Sequence, residues 1–96
     1  MNSVFAIQRK KTGAYVSNFG GKGAVRCSHK RALIHDSLDS VLIRWDFGVL
    51  DGELNEENFE IVKIPLTKLK DRVLTEVLSK RSWFYPFIVE VEDDNS

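Results

Sequence analysis

The chain reads as a single α+β domain in the order β-β-(β)-α-β-α-β, with two helices packed on one face of a small, mostly antiparallel sheet. Three observations predict this. Residues 4 to 19 alternate with a period of two around a glycine-bearing turn, residues 38 to 49 change to a helical period, and residues 59 to 64 return to strand composition before a proline.

In the first strand Phe5 and Ile7 share one face and Val4 and Ala6 the other; in the second, Tyr15 and Phe19 alternate with Ala14 and Val16. Gly13 supplies the positive φ that closes the turn, leaving Lys10, Lys11 and Thr12 at an exposed tip. An isolated hairpin is marginal in water, so later segments must cover it. Gly20-Gly21-Lys22-Gly23 connects to a short third strand over Ala24 to Ser28. The apolar run Ala32-Leu33-Ile34 then leads to Asp36 and Ser37, either of which can cap a helix over about 37 to 50. Leu38, Val41, Leu42, Trp45 and Val49 form its apolar stripe; Gly48 weakens the last turn and Gly52 can end it.

Residues 51 to 58 are an acidic, turn-rich loop, followed by a strand from Phe59 to Ile64 that Pro65 closes. Thr67 can cap a second helix carrying Leu69, Val73, Leu74, Val77 and Leu78 on one side. A last strand within Trp83 to Glu92 places Phe87, Val89 and Val91 on a shared face. The domain is expected to span residues 1–92, with 93–96 a frayed acidic tail.

A chain of 96 residues has room for one core but not for separate substrate and cofactor domains. With 43% apolar and 29% charged residues it has a globular composition, not that of a disordered tail. The lone Cys27 cannot form an internal disulfide, which fits a reducing compartment. No apolar run approaches the roughly 20 residues that cross a bilayer. The start Met-Asn-Ser-Val-Phe lacks a signal-peptide layout, so a cytoplasmic location without membrane association is expected.

The net charge is zero, yet it is segregated. Residues 1 to 35 hold seven cations, Arg9, Lys10, Lys11, Lys22, Arg26, Lys30 and Arg31, and no acid. Residues 36 to 60 hold eight acids against Arg44. The cations could neutralise phosphates or meet an acidic partner. The acids Asp51, Glu53, Glu56 and Glu57 could imitate a phosphate backbone or complement a basic partner. Solvated strand, loop and helix faces explain both sets as well. Trp83, Phe84 and Tyr85 are candidate interface anchors, though in so short a chain such aromatics more often close the core.

Catalytic and metal signals are poor. Gly20-Gly21-Lys22-Gly23 lacks Walker spacing and the Ser or Thr after its lysine, so no nucleotide site is expected. Cys27, His29 and His35, with Asp36 as a fourth ligand, lack the wider loop a structural zinc site uses. Side chains of one strand rarely converge as a nucleophile triad. No enzyme activity, cofactor or metal is expected.

The segments Phe5-Ala6-Ile7-Gln8, Thr12-Gly13-Ala14-Tyr15-Val16-Ser17, Ala32-Leu33-Ile34-His35-Asp36-Ser37 and Glu60-Ile61-Val62 resemble small uncharacterised accessory proteins encoded by bacteriophages, in a pattern covering about two thirds of the chain. The resemblance implies a phage or mobile-element origin and, by analogy, inhibition of a host protein or nucleoprotein complex of the anti-CRISPR kind. The function expected is thus non-enzymatic binding by steric or electrostatic occlusion. The alternative is direct nucleic-acid binding through the basic first third.

Overall fold

The computed structural model describes residues 3–21, 24–69 and 87–91. The elements are β1 (Ser3–Arg9), β2 (Tyr15–Gly21), β3 (Ala24–Ser28), β4 (Arg31–Ile34), α1 (Leu38–Leu50), β5 (Phe59–Pro65), a 3-10 turn over Leu66–Lys68 and β6 (Phe87–Glu90). Among the described residues every strand pair is antiparallel, and the architecture is α+β.

Four strands form a sheet in the order β3-β2-β1-β5, and β4 pairs with β6 in a separate ribbon. β1 pairs with β5 along its full length, from Ser3 opposite Pro65 to Arg9 opposite Phe59. Its other edge is divided: Gln8 faces Tyr15 of β2, whereas Phe5 exchanges two backbone hydrogen bonds, of 2.9 and 2.8 Å, with His35 just beyond β4. The ribbon closes back on the sheet, because Val91 after β6 bridges Leu69 after β5. Backbone pairing therefore runs in a ring through β1, β5, β6 and β4. It encloses Val4, Ala6, Ala32, Ile34, Ile64, Leu66, Leu69, Val89 and Val91.

The opposite face of the sheet carries a second cluster, Ile7, Val16, Val41, Leu54 and Phe59, edged by Phe5, Phe19, Val25, Cys27, Trp45 and Ile61. α1 lies over this side. The period-two pattern of β1 thus serves two cores, with Val4 and Ala6 in one and Phe5 and Ile7 in the other. Each fully buried Val, Ile or Leu contributes on the order of 2 kcal/mol by leaving water.

Three expectations need correction. Phe19 does not share a face with Tyr15: an irregularity in the β2–β3 register between Val16 and Asn18 shifts it to the side of Val16. The strands form a sheet and a ribbon, not one sheet with two helices on one face, and α1 is the single α-helix among the described residues. Thr67 lies inside the 3-10 turn after Pro65, without a side-chain cap, and most of the helix expected after it lies outside the described residues. Trp83, Phe84 and Tyr85 also lie outside them.

The α1 boundaries follow local chemistry. Ser37 is the N-cap, its side chain accepting from Ser40 N at 3.1 Å. The C-terminus is a Schellman motif: Gly52 (φ +76°) donates to Val49 O at 3.2 Å and Glu53 to Gly48 O at 2.8 Å. No described helix is long and apolar enough to cross a membrane.

Candidate partner-binding surface

α1 is seated on the sheet through Val41, Trp45 and Gly48, which recur at helical spacing on one side. Gly48 is the reason: its missing side chain lets Leu54 pack directly on the helix, drawing that side inward. The expected stripe is accordingly only half right. Leu38, Leu42 and Val49 are exposed on one flank, and Ile43, Phe47 and Leu50 on the outer side are 59%, 55% and 81% exposed.

Asp39 and Asp46 fall between these two apolar ridges. The helix's cation is turned away from them. Arg44 lays its guanidinium on the Phe19 ring, 3.6 Å from the centroid, with its Nε buried. The outer face of α1 thus presents large apolar side chains and negative charge, and no basic residue stands in the last turn to offset the negative end of the helix dipole. The second stripe, Ile43, Phe47 and Leu50, was readable as excess apolar residues at helical spacing; the first stripe masked it.

Beside the last two turns of α1 lies an open groove of about 990 Å³, lined by Trp45, Asp46, Val49, Leu50, Asn55, Glu56 and Glu57. Its far wall is a fixed turn, since Asn55 accepts from Asn58 N through its side chain at 2.9 Å and from Phe59 N through its backbone at 3.0 Å. Of the sequence-predicted acids, Asp51, Glu56 and Glu57 are exposed in this region. Glu53 is not: it is 8% exposed, with Oε2 buried and lacking a hydrogen-bond partner, so it takes no part in an open acidic surface.

The strand registers place the Lys10–Gly13 tip, the turn at His29 and Lys30, and the Asn55–Asn58 loop at the same end of the sheet. Arg9 lies over the Phe59 ring at 5.4 Å. Lys10 donates through Nζ to Glu56 O at 2.7 Å and through its backbone to Asn58 O at 2.8 Å, so the basic tip is tied to the acidic loop through carbonyls. Lys11, with Arg9, Asn58 and Phe59, lines a small cavity of about 280 Å³. Arg26, Lys30 and Arg31 are exposed, with Arg31 opposite Glu90 across the ribbon, and Lys22 lies outside the described residues. Among the described residues the basic third and the acidic segment form no ion pair with each other.

Among the described residues the remaining chemistry-bearing side chains do not converge. Cys27 is half-buried at the edge of the helix-side core and His29 is exposed. His35 is buried, and its Nδ1 shares a 3.1 Å hydrogen bond with Ser40 Oγ. Burial, and then the Arg44 charge, lower the His35 pKa from 6.5 to about 4, against an opposing pull from Asp36. Among the described residues no group of three metal-ligating side chains occurs. Comparison of the chain with protein-family models, with curated proteins and with solved structures finds no match.

Proposed function

We propose that this chain is a non-enzymatic binding protein that docks on a partner protein through the outer face of α1 and acts by occluding the partner's surface. The observation that carries the reading is the helix itself: a 13-residue element leaves six large apolar side chains, Leu38, Leu42, Ile43, Phe47, Val49 and Leu50, at least 40% exposed. Large apolar side chains exposed together on one helix of a small domain mark an interaction site. The resemblance to small phage-encoded accessory proteins points the same way, to a host protein or nucleoprotein complex as the partner and to inhibition as the outcome.

The test is chemical cross-linking of the tagged chain in bacterial lysate, with quantitative mass spectrometry, alongside the Ile43→Gln/Phe47→Gln variant. A partner retained by the parent and lost by a variant that keeps its circular dichroism supports the reading. Equal recovery by both removes it.

A second reading, nucleic-acid contact, has its own observation: Lys11, Arg26, Lys30 and Arg31 are exposed, and several of them gather at one end of the sheet. Mobility-shift titration at two salt concentrations decides it. Binding through these cations weakens steeply as salt rises, because each neutralised phosphate releases counterions. No shift at low salt eliminates it.

A further inference from the structure

We infer that the groove between the last two turns of α1 and the Asn55–Asn58 turn takes a basic amphipathic helix, with apolar side chains on Trp45, Val49 and Leu50 and lysines or arginines against Asp46, Glu56 and Glu57. The inference rests on the reading of the chain as a protein-binding module, and it names the chemistry of the partner.

Shape and charge agree on the occupant. The floor is apolar and belongs to a helix, so ridge-into-groove packing of a second helix along α1 is the economical way to cover it. The rim is acidic on both sides, Asp46 on α1 and Glu56 and Glu57 on the turn. Among the described residues none of these three carboxylates has an ion-pair partner. The negative end of α1 points toward the same place, Asp51 forms the C-cap, and no basic residue stands in the last turn. Arg44, the cation that could have neutralised this field from within the helix, is stacked on Phe19 on the sheet side. The turn wall is held by its own hydrogen bonds and by Lys10 Nζ on Glu56 O, so the rim carboxylates stand on backbone that is already fixed before a partner arrives.

A second copy of this chain fits worse. Two α1 helices packed face to face in antiparallel fashion would set Asp39 of one copy near Asp46 of the other and bring the acidic rims together, with no cation on the outer face to pair them. A partner with the opposite charge relieves that repulsion.

The probe is a fluorescein-labelled amphipathic peptide of about 14 residues, with leucines at helical spacing flanked by lysines, and a twin in which every lysine is glutamate. Fluorescence anisotropy with the intact chain is expected to show binding of the lysine peptide that weakens as salt rises from about 50 to 300 mM, and none of the glutamate twin. The Asp46→Asn/Glu56→Gln/Glu57→Gln variant should bind about tenfold more weakly, the sum of three modest exposed charge contacts. Asp39→Asn, on the same helix but outside the groove, should bind like the parent. No binding of the lysine peptide, equal binding of both peptides, or equal loss with Asp39→Asn overturns the inference. So does a concentration-dependent dimer in sedimentation that the triple variant strengthens, since a second copy would then be the occupant. Should Ile43→Gln/Phe47→Gln abolish partner capture while the lysine peptide fails to bind, the groove chemistry falls and the protein-binding reading stands. Failure of both measurements removes both.

Discussion

Gly48 and Leu54 are packed so closely that a methyl group on Gly48 would meet Leu54 Cδ1 and lie 2.7 Å from Cγ and 3.3 Å from Cβ. Gly48 O also accepts from both Glu53 N (2.8 Å) and Leu54 N (3.1 Å). A single glycine therefore fixes the rotation of α1 on the sheet, the path of the chain leaving it and the apolar face it leaves outside.

The Gly48→Ala variant should be destabilised by about 1–2 kcal/mol, because overpacking against Leu54 outweighs the ~1 kcal/mol helix-propensity gain of alanine. Urea denaturation followed by circular dichroism checks it. A more stable variant would show that Leu54 gives way freely and does not set the helix rotation.

Glu53 is a carboxylate in the interior with one oxygen, Oε2, lacking a hydrogen-bond partner. Replacement with an apolar side chain of similar length, Glu53→Met, should raise unfolding free energy by about 1 kcal/mol, since a buried oxygen without a hydrogen-bond partner carries an unreturned desolvation cost. The same denaturation series measures it. A loss of stability would mean that the carboxylate is compensated in the folded chain.

His35 links folding to pH. Its pKa is lowered from 6.5 to about 4, first by burial and then by Arg44, so the neutral ring is the folded form. Above pH 6.5 both folded and unfolded chains hold it neutral and its stabilisation is fully present. Between pH 6.5 and about 4 the unfolded chain binds the proton and the folded chain does not, so stability falls by on the order of 2 kcal/mol across that window. Chemical denaturation at pH 7, 5.5 and 4.5 should show this slope, and His35→Asn, which can still reach Ser40, should flatten it. An unchanged slope in the variant would assign the acid sensitivity to other groups.

The outer ridge of α1 carries little of the folding energy. Ile43→Gln, Phe47→Gln and Leu50→Gln together should change unfolding free energy by no more than about 1 kcal/mol, while lowering the fluorescence of an added hydrophobic dye. A loss well beyond that would place this ridge in the core instead of on an open face.

Local chemistry made much of the fold legible. Gly13 at the hairpin, Ser37 before α1, Gly52 after it and Pro65 closing β5 act within a few residues of themselves, and each has the role its type dictates. Whether Leu38, Leu42 and Val49 are covered depends instead on Leu54, which reaches Gly48 only once the turn has folded back. The side taken by Phe19 depends on a register shift against β3, and the closing of the ribbon onto the sheet depends on Val91 finding Leu69 across a long stretch of chain. The acidic run was likewise visible as charge, yet burial of Glu53 and exposure of Glu56 and Glu57 follow from the Schellman turn that points one inward and leaves the others out. By itself the sequence determined the elements, their caps and their charge. Tertiary packing decided which faces meet water, because burial is a property of pairs of segments that only the folded chain brings into contact.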